Sequence, residues 1–254
     1  MTTDCGVRLE SDGPVATVTL CRPGVLNAQD PKMWGALRDI SLDLPGDVRV
    51  VVVRGEGRAF SAGLDLAAAS GSGEASFAEL TSLSPEACAD RIAEIQAAFT
   101  WLRRRDLITI AAVQGHAIGA GFQLALACDL RVLATDAQLS MAEVTLGLVP
   151  DLGGTKRLVA LVGYARALEI CVTGRRVGAA EAERIGLANL VVPPEELDAA
   201  TADLVAAVLA GRRDAVIEIK ALLAGAAERS YADQDRAERE AQTRRLRDLA
   251  GVGE

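Results

Sequence analysis

Two stretches, "VRVVVVRG" (48–55) and "LITIAAVQG" (107–115), stay apolar for the length of a strand and show no polar alternation. A strand that is apolar on both faces needs cover on both faces. That is the situation of a parallel sheet wrapped by helices, and not of a solvent-facing meander. "VATVTL" (15–20) adds a β-branched strand, and "DLRVLATD" and "QLSM" two short ones around a turn. "ANLVVP" (188–193) is the last. Helices lie between them. Asp30 followed by Pro31 is an N-cap with proline at the first helical position, and it opens "PKMWGALRDISLDL". Ser84-Pro85-Glu86 opens a long helix to about Arg105. The small-residue stretch "AAASGSGEAS" (67–76) reads as a mobile loop. The pattern predicts an α/β core over 1–193 and a helical C-terminal region over 194–254, with no linker before about residue 193.

Half of the 254 residues are hydrophobic, enough for one large domain with a real core. The net charge is −8 and no basic block is present, which argues against nucleic acid as a partner. The five cysteines are odd in number and none are paired at two-residue spacing. A disulfide framework and a zinc ribbon are both disfavoured. With one histidine, His116, a multi-histidine metal site is impossible, and a Ser-His-Asp triad would depend on that residue alone. No apolar run approaches the roughly 20 residues of a membrane span, and "MTTDCGVRLESDG" is no signal peptide. The expectation is a cytoplasmic protein with no metal.

Two glycine-rich turns each follow a predicted strand: "AFSAGLDL" (59–66) and "GHAIGAGFQLA" (115–125). Small residues let a ligand approach main-chain N–H groups, and in the second turn these belong to a helix start, where they are unpaired. Two such turns converging would make an oxyanion hole from backbone alone. Tight strand-to-helix packing also selects glycine, so the spacing leaves both readings open. Neither turn is a phosphate-binding loop, a dinucleotide fingerprint or a serine-hydrolase elbow. Downstream, Glu143 and Asp151 stand in apolar surroundings. A carboxylate in such a cleft can move protons near neutral pH. The plainer alternatives are a solvated Glu143 and an Asp151 that caps the helix after it.

In this order, "RPGVLNA" (22–28), "AFSAGLDL" (59–66), "QGHAIGAGFQLALACDLRV" (114–132), "LGLVPDLGGTKRL" (146–158) and "ALEICVTGRRVGAAEAERIGLANLVVP" (167–193) resemble the crotonase superfamily, the enoyl-CoA hydratase and isomerase enzymes. The resemblance implies a crotonase-like spiral of ββα units with a helical C-terminal trimerisation region, assembled as a homotrimer or a hexamer. It implies an acyl-CoA thioester substrate and an enolate-like intermediate, with no cofactor beyond the CoA of the substrate. By position it implies oxyanion N–H groups at Leu64 and Ala120. CoA contacts are implied at Gly24, Val25, Leu26, Ala28, Ser61, Ala62 and Asp65.

Hydratases of this superfamily carry two glutamates. Glu143 matches the second, and Gln123 stands where the first belongs. An amide cannot act as a general base. The favoured expectation is therefore double-bond isomerisation with Glu143 as base, Asp151 assisting and Gln123 orienting. Hydration, with Glu143 activating a water that Gln123 holds, is the second. Acyl-CoA binding without chemistry is the third. Arg22, Arg58 and Lys156 are candidate partners for the CoA phosphates, or solvated charges. His116 is read as a packed residue or a pocket wall. The charged tail 228–248 departs from the superfamily pattern.

Overall fold

The structure, a computed structural model, describes residues 5–252. Its main sheet has six strands: β1 (Val7–Asp12), β2 (Val15–Leu20), β3 (Val50–Gly55), β4 (Ile108–Val113), β6 (Leu130–Ala134) and β9 (Leu190–Val192), adjacent in that order. Only β1 runs antiparallel to its neighbour; every other pair is parallel. The second sheet is small: β5 (His116–Ile118), β7 (Gln138–Ser140) and β8 (Val177–Gly178). β1 has no counterpart in the sequence reading. Its run "VRLESD" is polar and half exposed, as suits an edge strand.

The helices are α1 (Pro31–Asp43), α2 (Leu66–Ala69), α3 (Phe77–Ser82), α4 (Pro85–Thr100), α5 (Ala120–Ala127), α6 (Gly154–Val162), α7 (Tyr164–Thr173), α8 (Ala179–Arg184), α9 (Leu197–Ala210), α10 (Arg213–Gly225) and α11 (Tyr231–Leu249). Asp30 caps α1 as its sequence requires, accepting from the Met33 N–H. The stretch 67–76 is more ordered than its composition predicts. Asp65 caps α2 at one end of it, and the completely buried Ser76 caps α3 at the other.

The spiral of ββα units is visible in the register. From β3 the chain passes through Ser61 to α2, from β4 through β5 to α5, and from β6 through β7 toward α6. Ser61 bridges Ala117, and Ala117 pairs with Leu139, so successive turns stack side by side. Three short strand segments are thereby aligned, and the loops that follow them open at one place.

The apolar runs are covered on both faces, as their pattern demands. Val51, Val53, Ala111, Val113 and Leu133 face the main core with Phe60, Phe99 and Phe122. Val50, Val52, Ile110, Ala112, Val132 and Ala134 face the other way, against Leu197 and Val205 of α9. The C-terminal region is thus the lid of the sheet's second face. Lys220 of α10 ties it down, donating to the Asp129 carboxylate and the Leu107 carbonyl, both at 2.7 Å. All five cysteines are free, and burial pushes the Cys128 thiol up to about 12. Among the described residues no helix is long and apolar enough to cross a membrane.

Candidate active site

The two glycine turns touch. Gly63 has φ of +86°, and a Cβ there would lie 2.3 Å from the Ile118 carbonyl oxygen and 3.4 Å from the Ala120 nitrogen. Only glycine allows both the left-handed conformation and that approach. A Cβ at Gly121 would meet the Ser61 carbonyl at 2.5 Å. Close packing therefore explains these two glycines, and the packing brings the Leu64 and Ala120 amides to one place. Gly119 differs. It turns the chain with φ of +51°, and the closest atom to a Cβ there would be the Glu143 Oε1 at 3.4 Å, across the site.

Ala120 is the first residue of α5, so its N–H has no intrahelical acceptor. The Leu64 bridge to Gln29 uses the Gly63 carbonyl and the Asp65 N–H, which turns the Leu64 N–H the other way. No described residue accepts a hydrogen bond from either amide. Both line a cavity of about 500 Å³.

The other walls of this cavity carry the carboxylates. Glu143 sits in a single 3-10 turn, Ala142–Leu146, directly after β7. Gln123 lies one helical turn past Ala120, is completely buried, and donates from Nε2 to the Glu143 Oε1 at 2.7 Å. The Gln123 Oε1 accepts from the Leu152 N–H at 2.9 Å and the Gly154 N–H at 3.2 Å. The amide is therefore a clamp between α5, the Glu143 turn and the loop before α6. The Glu143 Oε2 is buried, and no described residue donates to it. Burial pushes the Glu143 carboxyl above the usual range; hydrogen bonds from its own N–H and from Gln123 oppose this, and the Asp151 charge adds to it.

Asp151 is also on the cavity wall, at its open side. It does not cap α6: the N-cap there is Gly153, with no side-chain bond. Its side chain is exposed at the mouth, yet the surrounding wall displaces part of its water and raises its carboxyl too. α4 and the 3-10 turn after it, Trp101–Arg103, hold this loop, with Gln96 donating to the Asp151 carbonyl and Arg103 to the Gly153 carbonyl. The remaining lining is mostly apolar, including Trp34, Phe77, Leu80, Ile92 and Ile95, with Thr81 and Thr145 among it. The sequence reading passed over these residues. Four of the apolar ones lie on α3 and α4, whose path over the site depends on tertiary packing.

The residues proposed for CoA lie on two adjoining segments, some exposed and some buried. Gly24 and Val25 are exposed, and Leu26 accepts from the Ala62 N–H at 2.8 Å. Asn27 is completely buried and staples this segment by donating to the Glu56 and Ala59 carbonyls. Ala28 lends its carbonyl to Arg22. Ser61 lies beneath the surface, with its hydroxyl and both main-chain groups engaged. Asp65 is committed as the α2 cap and as the partner of Arg22 at 3.0 Å. Partial burial opposes it, but the Ala68 N–H and Arg22 hold its carboxyl below the usual range. Arg22 also pairs with Asp30 and is not a free cation. Lys156 pairs with Glu228, while Arg58 is exposed. His116 does not line the cavity. Among the described residues no cluster of three or more His, Cys, Asp or Glu is arranged to hold a metal.

Residues 10–248 match the family model for enoyl-CoA hydratase/isomerase. The chain belongs to this family. Its members act on acyl-CoA, and the crotonase-like fold is shared with solved relatives. An enoyl-CoA hydratase-type protein of Thermobifida fusca YX, in complex with CoA, superposes with a TM-score of 0.90 at 48% identity, over 97% of this chain and 95% of that one. A carnitinyl-CoA dehydratase of Salmonella enteritidis PT4 is 40% identical over 75% of this chain and 69% of its own. The peroxisomal Delta(3,5)-Delta(2,4)-dienoyl-CoA isomerase of Arabidopsis thaliana is 36% identical over 73% of this chain and 68% of its own. The family thus spans lyase and isomerase chemistry, and this member's Gln123 and Asp151 bear on which one it performs.

Proposed function

We propose that this enoyl-CoA hydratase/isomerase family member moves a double bond along an acyl-CoA thioester. The observation that carries this is the pair Glu143 and Asp151. These are two carboxylates lining one largely apolar cavity, both raised in pKa, with an amide and not a third carboxylate beside Glu143. In a 3-enoyl thioester, Glu143 takes a C2 proton at its free Oε2. The electron pair moves into the carbonyl and gives a dienolate, whose oxygen accepts from the Leu64 and Ala120 N–H groups. A proton returned at C4, from Asp151 or from Glu143 itself, restores the carbonyl and leaves the double bond at C2–C3. The substrate gains and loses nothing; where Asp151 is the donor, it starts protonated, Glu143 ends protonated, and proton exchange with water resets both. CoA enters as part of the substrate, along residues 24–28 and 61–65, and no further cofactor takes part.

Hydration is the second reading. The free Glu143 Oε2 could take a proton from a water, and the second N–H of the Gln123 amide could donate to that water. The dehydratase relative and the hydratase-type solved structure support it.

Incubation with 2-enoyl- and 3-enoyl-CoA in heavy water, read by mass spectrometry, tests the two. Deuterium on the acyl chain without added water is the expected result. Gain of one water by the thioester would overturn the isomerase reading in favour of the hydratase. We also propose a homotrimer or hexamer in the cytoplasm. Exposed apolar side chains on α6 and α7 (Val159, Leu168, Val172) and on α10 (Ile219, Leu223) support association between copies.

A further inference from the structure

Gln29 is completely buried. A buried amide is unfavourable unless its polar groups find partners, and here they do, in a chain. The Trp34 Nε1 donates to the Gln29 Oε1 at 2.9 Å. The Gln29 Nε2 donates to the Ser61 Oγ at 3.1 Å. The Ser61 hydroxyl in turn donates to the Asn27 carbonyl at 2.8 Å and accepts from the Gly63 N–H at 3.2 Å. The Gln29 main chain works on the same turn: its N–H donates to the Gly63 carbonyl at 2.6 Å, and its carbonyl accepts from the Asp65 N–H at 2.8 Å. Gln29 and Ser61 thereby hold the residues on both sides of Leu64.

Ser61 is also tied to the second turn. Its N–H donates to the His116 carbonyl at 2.8 Å, and its carbonyl accepts from the Ile118 N–H at 3.0 Å. Ala120 follows two residues later. The relative position of the Leu64 and Ala120 amides therefore passes through Ser61, whose hydroxyl is oriented by Gln29. At the other end of the chain, Trp34 is part of the cavity wall.

We propose that Gln29, held between Trp34 and Ser61, is a positioning residue of this site, setting the Leu64 N–H against the Ala120 N–H for the thioester oxygen. The inference rests on the oxyanion-hole reading above. It predicts that loss of the chain weakens stabilisation of the enolate more than it weakens binding of the thioester. Displacement of such a donor by a fraction of an ångström is felt in the charged state and little in the ground state.

The test uses the full chain and acetoacetyl-CoA, whose enolate absorbs in the near ultraviolet. Its ionisation is titrated against pH, free and bound, for the wild type, Gln29→Met and Trp34→Phe. Methionine keeps the volume of Gln29 and removes both hydrogen bonds. Trp34→Phe removes one bond and leaves the amide in place. Turnover on the acyl-CoA substrate is followed in parallel. The wild type is expected to lower the enolisation pKa of bound acetoacetyl-CoA below that of the free compound. Gln29→Met is expected to raise the bound value by about one unit, which is tenfold. Its kcat should fall about 10- to 100-fold with KM within about threefold. Trp34→Phe should shift both readings in the same direction by less. A folded Gln29→Met that binds acetoacetyl-CoA with an unchanged enolisation pKa would overturn this proposal and leave the oxyanion hole standing. If that variant does not fold, an unchanged pKa in Trp34→Phe has the same consequence. A wild type that binds the compound without lowering its pKa would remove the oxyanion-hole reading itself.

Discussion

The amide of Gln123 donates to the Glu143 Oε1 at 2.7 Å, while two backbone N–H groups of the loop before α6 fill its own oxygen. The arrangement fixes which way the amide points, because its oxygen faces only donors. It also fixes which Glu143 oxygen is free to react. Position 123 therefore acts on Glu143 and not as a second base.

Gln123→Glu turns that donor into an acceptor. The Leu152 and Gly154 N–H groups can still bond one oxygen of the new carboxylate, so the loop keeps its place. The other oxygen then faces the Glu143 Oε1, and two carboxylates at hydrogen-bond distance share one proton. The isomerase reading predicts that the acid limb of kcat/KM moves to higher pH and that deuterium uptake slows. Water addition to 2-enoyl-CoA should rise by about tenfold or more, as a second acid–base group becomes available. Product masses after reaction in 18O-labelled water report both. Unchanged ratios of hydrated to exchanged product would count against the clamp.

Glu143→Gln removes the base and keeps the shape. Activity should fall by about 10²- to 10⁴-fold, the usual contribution of a positioned acid–base group. CoA-thioester affinity should stay within a few-fold, because the contacts along residues 24–28 and 61–65 are elsewhere. Calorimetry and turnover together separate the two. Full activity in this variant would sink the proposed mechanism.

The same substitution should affect stability with a definite sign. Burial raises the Glu143 pKa in the folded chain above its unfolded value of about 4.3. Folding therefore favours the protonated form, so the unfolded state binds fewer protons between the two values. Stability falls as pH rises from the unfolded pKa to the folded one, and the loss persists above. A neutral glutamine escapes that loss. Glu143→Gln should melt at a higher temperature than the wild type at neutral pH, and the difference should vanish at about pH 4 and below. Thermal melts at several pH values check this.

Asp151 raises the Glu143 pKa as a like charge across the cavity mouth. Asp151→Asn should move the acid limb of kcat/KM to lower pH. If Asp151 also returns the proton at C4, kcat falls as well, by about tenfold or more. A shift of the limb with kcat intact would leave Glu143 as the sole shuttle.

Glu143 and Asp151 stood out in the sequence as carboxylates in apolar surroundings, and the resemblance to the crotonase superfamily added Gln123, Leu64 and Ala120. Glu143, Gln123, Asp151, Leu64 and Ala120 all line the same cavity, as the motif order implies. The covered strands were legible because Val50 to Val53 leave no polar face. What was hidden depends on contacts across long separations. Asp65 is a local cap of α2, and its ion pair with Arg22, distant in sequence, is what the motif does not show. Gln29 carries no local signal, since its partners are a tryptophan five residues on and a serine on another turn. Phe77 and Leu80 sit on a helix of six residues, too short to read by periodicity, that a buried serine cap begins.

The glycine at 63 allows a test of how strictly the site depends on the two turns meeting. Alanine there must adopt φ near +86°, and its Cβ must displace a carbonyl oxygen that would otherwise lie at 2.3 Å. Backbone is the obstacle, so no side-chain rotation relieves it. The folded state should lose about 2 kcal/mol or more from strain and overpacking together. Relief comes only if the Gly63–Leu64 turn moves away from Ile118, and that carries the Leu64 N–H away from the Ala120 N–H. Gly63→Ala should therefore lose about 10²-fold or more in kcat, beyond what its lowered melting temperature explains. At Gly13, a Cβ has open space and φ is +51°, so Gly13→Ala keeps backbone strain without the collision. Comparing the two by melting and turnover separates stability from geometry: both should melt lower, and only Gly63→Ala should lose turnover while folded. Equal turnover in the two would show that the amides do not need this contact to reach the substrate oxygen.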